Sequence, residues 1–218
     1  MTLSEALAFV AECVCDPWRV SAVAPSSNSL AELITGEITS SHAPIIELGP
    51  GTGVFTRWLL QRGVPERQLA LVESGAEFAR KLDGKFPGAQ ILCMDASLLA
   101  QADLFDGQMA GAIVSGLPLV SMSTRKVVGV LRSAFTHLRP GGSLYQFTYY
   151  PRCPVRRSVL ARCGLQAKWI GGTFFNLPPA AVYKISRLDQ PVLHANSPRI
   201  APSPRTELQT APFCVRFP

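Results

Sequence analysis

The chain has 218 residues, 47% of them hydrophobic and 17% charged, with a formal net charge of +6. That length and balance give one domain with appendages and a sizeable core, and they exclude general disorder. The charge is uneven: residues 1–150 hold 11 Lys+Arg against 13 Asp+Glu, and residues 151–218 hold 10 against 2. The C-terminal third therefore points to an anionic partner, phosphate-bearing lipid or nucleic acid, or else to a solvated basic face.

The six cysteines form no CxxC pair, so neither a zinc knuckle nor a thioredoxin motif is expected, and no metal site. Their usage fits a reducing compartment, the cytoplasm. No apolar run approaches the roughly 18 residues of a membrane span, and an N-terminus with acidic residues near its start does not read as a signal peptide.

In chain order, Thr2-x-x-Glu5 is a capping box. Leu3, Leu7, Val10 and Val14 follow at helical spacing, so a helix runs from about residue 3 to about 15, ended by Pro17. A second helix begins at Ser29-x-x-Glu32, and residues 1–38 read together as an N-terminal helical cap. Beyond residue 44, strands are predicted at 45–48, 69–73, 91–95, 112–115 and 143–149. Helices are predicted between them at 54–61, at 77–82 behind a Ser74-x-x-Glu77 box, near Leu98, and at 123–138. This alternation means an α/β fold with a parallel sheet covered on both faces. Cys93, in an apolar run, reads as a small core residue. Pro154 opens a further helix closed by Gly164, and QAKWI and AAVYKISR form an antiparallel hairpin at the sheet edge, joined by GGTFFNLPP. From Leu188 to Pro218 six prolines and no periodicity give a disordered tail.

The chemistry concentrates where strand 45–48 meets helix 54–61. Gly49-Pro50-Gly51-Thr52-Gly53-Val54 departs from the dinucleotide fingerprint, since its third glycine comes one place early. Pro50 lacks the N–H that a pyrophosphate needs. A ligand without phosphates fits better. Glu47 stands beside the loop, Glu73 closes the second strand where ribose hydroxyls are bound in such folds, and Asp95 closes the third, able to accept from an adenine amino group. Three acids at successive strands describe adenosine with a positively charged attachment.

ELGPGTG (47–53), Glu73, CMDA (93–96) and LRPGG (138–142) together resemble the class I S-adenosylmethionine-dependent methyltransferases. The resemblance covers roughly residues 25–187. It implies a Rossmann-like, mostly parallel seven-stranded sheet with helices on both faces over residues 39–187, and S-adenosylmethionine as cofactor. It further implies that the backbone of Gly49, Gly51, Thr52 and Gly53 approaches the methionine part, and that Glu47 orients the loop or the methionine amino group. Glu73 would bind the ribose, Asp95 with Ala96 the adenine, and Ser115 would border the cofactor.

Within that class, SGLPL (115–119), YQFTYYP (145–151) and FNLPPAAVY (175–183) resemble bacterial phospholipid N-methyltransferases, which convert phosphatidylethanolamine to phosphatidylcholine. The rRNA adenine dimethyltransferases share the acids and glycines but carry Asn-[Leu/Ile]-Pro-[Tyr/Phe] after strand four. Here Ser115 replaces the amide and Leu119 the aromatic that stacks on a flipped base, which counts against adenine.

The resemblance implies methylation of a lipid amine at the inner membrane surface, by a cytoplasmic protein peripherally associated with it. The Ser115 hydroxyl and the Leu117 carbonyl would hold the amine, with Pro118 beside it. Tyr149 reads as a polar wall, a proton acceptor or an ordinary strand-edge tyrosine. Arg152, Arg156 and Arg157, with Arg162 and Lys168, could face lipid phosphate or hold an RNA backbone. The first helix reads equally as a surface binder or a lid. An rRNA or small-molecule amine N-methyltransferase is the alternative function.

Overall fold

The computed structural model of the chain describes residues 28–150, 152–174 and 178–188. They fold as α1 (Asn28–Thr35), β1 (Ile45–Leu48), α2 (Val54–Gln61), β2 (Leu69–Glu73), α3 (Ala76–Lys85), β3 (Gln90–Cys93) and β4 (Ala110–Ser115). Then come α4 (Thr124–His137), β5 (Leu138–Thr148), α5 (Arg157–Arg162), β6 (Leu165–Thr173) and β7 (Ala180–Arg187). Seven strands form one sheet in the order β3-β2-β1-β4-β5-β7-β6. Its first five strands pair in parallel, and β7 runs antiparallel to both β5 and β6. This is the mostly parallel, seven-stranded α/β sheet that the sequence predicts.

The strands follow from their composition. Every residue of β1, β2 and β4 is buried, as near-continuous apolar runs must be when helices cover both faces. Alternate residues feed two separate cores. Ile46, Leu48, Ile113 and Leu144 pack with Val127, Val130 and Leu131 of α4 and Val159 and Leu160 of α5. Ile45, Leu71, Val114 and Tyr145 pack with Leu30 and Ile34 of α1 and Phe55 and Leu59 of α2. Each such side chain contributes about 1.5–3 kcal/mol on burial.

The bounds of β1, α2 and β2 coincide with the sequence prediction. Several other expectations are corrected. β3 ends at Cys93, and Asp95 caps the 3-10 turn Ala96–Gln101 by accepting from the Ser97 N–H instead of closing the strand. Cys93 is exposed, because it ends β3, an edge strand of the sheet whose residues are all at least partly open to solvent. Helix α3 has no Ser74 cap; its N-cap is Gly75, whose N–H donates to Glu73 Oε1 at 2.9 Å. Helix α5 starts at Arg157, three residues past Pro154. Gly171 and Gly172 lie in β6, where a register shift after Trp169 absorbs one residue. Of the predicted hairpin, β6 alone is the edge strand, since β7 inserts between it and β5. The helix at 3–15, the tail from 189 and the residues Phe175–Leu177 of FNLPPAAVY lie outside the described residues. Among the described residues no helix is long and apolar enough to cross a membrane.

Candidate functional site

Strand order reverses between β1 and β4, which makes the carboxyl ends of these two strands the switch point where open α/β sheets bind ligands. The backbones close up there. The Gly116 N–H donates to the Leu48 carbonyl at 2.7 Å, and a Cβ added at Gly116 would sit 2.5 Å from the Gly49 carbonyl oxygen. Gly49, Gly51 and Gly53 have φ of 67°, 56° and 76°, the left-handed region that disfavours any side chain. At Gly53 a Cβ would also strike the Phe86 ring, whereas at Gly51 it would meet nothing within 4 Å. The outer turn of the loop is therefore open, and its inner ends are locked. The Gly53 N–H closes the turn on the Pro50 carbonyl at 2.9 Å.

Beneath the loop, the Glu47 carboxyl is fully buried. Its Oε2 accepts the Thr56 hydroxyl at 2.7 Å, and its Oε1 has no partner among the described residues. Burial pushes its pKa up to about 7, against the opposing pull of Thr56 and Arg57. Glu73 closes β2 and ties two turns together, accepting the Gly51 N–H at 3.3 Å and the Gly75 N–H at 2.9 Å. Asp95 Oδ1 accepts the Ser97 N–H at 2.9 Å and the Ser97 hydroxyl at 2.8 Å, while Oδ2 lies 2.9 Å from Lys126 Nζ. Lys126 first, and Ser97 after it, hold the Asp95 carboxyl down at about 2. Ala96, the next residue, is buried. The exposed Thr52 carbonyl takes Lys85 Nζ at 2.6 Å.

These residues fit a cationic adenosine derivative. A buried carboxyl with an empty oxygen needs a donor or a positive charge, the open glycine turn admits backbone approach, and two further carboxylates stand at the adjacent strand ends. Among the described residues no cluster of three His, Cys, Asp or Glu is placed to hold a metal ion.

Across the switch point, Ser115 is fully buried and its Oγ accepts the Leu117 N–H at 3.4 Å. The Leu117 carbonyl, expected from the sequence to hold an amine, already accepts the Leu119 N–H at 2.9 Å and Gln146 Nε2 at 2.9 Å. Pro118 is half-buried beside it, and Leu119 is buried in the core. Half-buried Tyr149 stacks edge-on against Phe147, centroids 5.3 Å apart, and Phe147 against Phe55 of α2 at 5.9 Å. This aromatic row links the glycine-loop helix to the end of β5. Arg152, Arg156 and Arg157 are exposed on the segment that follows β5.

Sequence reasoning missed Gln146, Thr56 and Lys126. Thr56 is ordinary in a helix, and Lys126 lies 31 residues from Asp95. Gln146 did leave a signal, a lone amide inside the apolar run of β5.

No protein-family model matches the chain. Over 137 residues it is 29% identical to the ornithine lipid N-methyltransferase of Singulisphaera acidiphila, a match covering 61% of this chain and 71% of that protein. Over 92 residues it is 33% identical to ribosomal RNA small subunit methyltransferase A of Maridesulfovibrio salexigens, covering 42% of this chain but only 34% of that protein. Among solved structures, a TehB-like SAM-dependent methyltransferase from Corynebacterium glutamicum superposes with a TM-score of 0.58 at 17% identity, covering 86% of this chain and 100% of that one. The glycopeptide N-methyltransferase MtfA, complexed with S-adenosyl-L-methionine, gives 0.53 at 14% identity, covering 73% and 93%. The fold of the chain is that of these methyltransferases.

Proposed function

We propose that this chain, a class I S-adenosylmethionine-dependent methyltransferase by its fold and curated relatives, methylates the amine of phosphatidylethanolamine at a membrane surface, towards phosphatidylcholine. One observation carries the lipid reading: the switch point adjoins a stretch, residues 150–188, with seven Lys and Arg and no Asp or Glu. A zwitterionic or anionic lipid headgroup brings a phosphate for such a surface and an amine for the site. The ornithine lipid relative acts, by its name, on a lipid nitrogen.

S-adenosylmethionine supplies a methyl group already activated on a sulfonium. Glu47, Glu73 and Asp95 would supply the negative charge and the hydrogen-bond acceptors that hold it, and the glycine turn would let the protein backbone approach it. The end of β4 then has to place the amine nitrogen in line and exclude water. An ammonium carries no lone pair, so the lipid amine sheds one proton before it reacts. Arg152, Arg156 and Arg157 pair with lipid phosphate, Arg being suited to bidentate contact. Peripheral attachment to the inner membrane face follows from the same contacts.

The rRNA reading is disfavoured by one residue. Leu119, where a base-stacking aromatic would be needed, is an aliphatic side chain sunk in the core.

The test is transfer of labelled methyl to vesicles containing phosphatidylethanolamine, with ornithine lipid and rRNA as parallel substrates and Glu73→Ala as control. Label in methylated phosphatidylethanolamine, absent in the control, is the expected result. Label in ornithine lipid alone would move the headgroup, and label in rRNA alone would sink the lipid reading.

A further inference from the structure

Gln146 of β5 lies directly across from Ser115 of β4 and is fully buried. Its amide nitrogen donates to the Leu117 carbonyl at 2.9 Å and to the Phe147 carbonyl at 2.8 Å. Two carbonyls on one end settle the orientation of the amide: turned over, its oxygen would face two acceptors and no donor. Oε1 is thus the uncommitted end of a buried amide, and it has no partner among the described residues. An enclosed acceptor left empty carries its whole desolvation penalty, so the orphan marks a place where a donor arrives with a ligand.

The neighbouring acceptor does not compete. A carbonyl oxygen has two lone pairs, and that of Leu117 is filled by Gln146 and by the Leu119 N–H. The hydroxyl oxygen of Ser115 accepts the Leu117 N–H at 3.4 Å, which occupies one of its two lone pairs. At the end of β4, then, the backbone acceptor is used and the side-chain acceptor from the adjacent strand is free. Gly116, Leu117 and Pro118 are half-buried, and the carbonyl of the middle residue is the one that takes the Gln146 amide.

We propose that Gln146 Oε1 accepts an N–H of the substrate amine, and that the enzyme thereby distinguishes nitrogens that still carry hydrogen from those that do not. This rests on the amine-methylation reading above. A neutral primary amine offers two N–H groups and a monomethylated one offers a single N–H. A neutral dimethylated amine offers none and leaves Oε1 as orphaned as before. A site built to hydrogen-bond an N–H disfavours the analogue lacking it. The same bond restrains rotation of the amine and leaves its lone pair free to point at the methyl donor.

The experiment measures kcat/KM for phosphatidylethanolamine and for its monomethyl and dimethyl derivatives in otherwise identical vesicles, comparing wild type with Gln146→Leu and Gln146→Glu. Binding of S-adenosylmethionine to each variant is followed by calorimetry. For Gln146→Leu the expected result is cofactor affinity within about twofold of wild type, and kcat/KM on the primary amine about 10- to 100-fold lower. The ratio of primary to dimethylated rates falls by the same factor of about 10 to 100, because the dimethylated amine never used the acceptor. Gln146→Glu, whose buried carboxyl keeps its proton between two carbonyls, retains an acceptor oxygen and a wild-type ratio; it carries the test if the leucine variant does not fold. An equal loss on all three amines would overturn the proposal and leave Gln146 as a structural clamp on two carbonyls. No transfer to any amine by the wild type would overturn it together with the function it rests on.

Discussion

On the β3-β2-β1 side of the switch point, Glu47, Glu73 and Asp95 stand near or just past three successive strand ends, and the buried acceptor without a partner among the described residues is a carboxyl oxygen. On the β4-β5-β7-β6 side, residues 150–188 carry seven cations and no acid, and the orphaned atom is an amide oxygen. One sheet therefore presents a surface suited to a cation beside one suited to a phosphate and a neutral amine. The ionisable acceptor draws charge, and its burial makes the draw strong. The amide acceptor cannot ionise, so it favours the ammonium over the reactive free amine far less than a carboxylate would. An ionised carboxylate there, unlike the amide or a carboxyl that keeps its proton, would stabilise the unreactive ammonium.

The seam between the halves is the place to break the comparison most completely. Gly116→Ala puts a methyl 2.5 Å from the Gly49 carbonyl, and because both partners are backbone neither can rotate away. We expect a loss of about 3 kcal/mol, read by urea unfolding. Gly51→Ala, where a Cβ meets no atom, pays only the φ of +56°, about 1 kcal/mol, while blocking ligand approach. A seam that tolerated Gly116→Ala would mean the two strand ends are not held together.

The next largest effect belongs to Glu47. Its pKa is raised by burial from an ordinary 4.5 to about 7, so between those values the folded chain keeps a proton that the unfolded chain has lost. The folded state binds more protons, and stability falls as pH rises across that window, by on the order of 2–3 kcal/mol. Unfolding of the ligand-free protein at pH 5 and pH 8 should show the slope, and Glu47→Gln should flatten it. A cation against Oε1 favours the ionised form, so S-adenosylmethionine binding should release a proton near pH 7, seen as a buffer-dependent calorimetric heat. No such release would take Glu47 out of the cofactor site. On the opposite half, Arg156→Gln with Arg157→Gln should weaken binding to anionic vesicles by roughly 1 kcal/mol for each arginine, the loss vanishing at high salt. Unchanged binding would leave these arginines as a solvated face.

The two halves were also unequally legible. The cofactor side is local in sequence: Glu47 and the three glycines lie within seven residues, and their strand and helix are set by an apolar run and a turn whose chemistry admits few alternatives. Glu73 and Asp95 follow at strand ends for the same reason, although the capping turn at Asp95 stays invisible until Ser97 is seen to bond it. The substrate side is not local. Leu117 reads as a free carbonyl from SGLPL alone; that it is filled depends on Gln146, 29 residues away and brought alongside by strand pairing. Charge was legible there, because composition needs no register, but which acceptor remains open is a property of the pairing.

The smallest effect tests the one point where the acidic half is already neutralised. Lys126 holds the Asp95 carboxyl at about 2, yet the two side chains are 45% and 37% exposed, so solvent screens most of that attraction and Lys126→Met should cost under about 1 kcal/mol of stability. Since the Asp95 pKa is depressed below its ordinary 3.8, the stabilisation is present above that value and lost as pH falls towards 2; the variant should lose it at a higher pH. Its value lies in the cofactor. Ser97 keeps Oδ1 in place without Lys126, so the substitution frees Oδ2 and leaves the carboxylate's aim unchanged. If Asp95 accepts from the adenine amino group, Lys126 is a competitor, and its removal should tighten S-adenosylmethionine binding a few-fold, up to about 1 kcal/mol. Weaker binding would instead make the lysine part of the site, and the three-acid half would owe its adenine contact to the Lys126–Asp95 pair instead of to the acid alone.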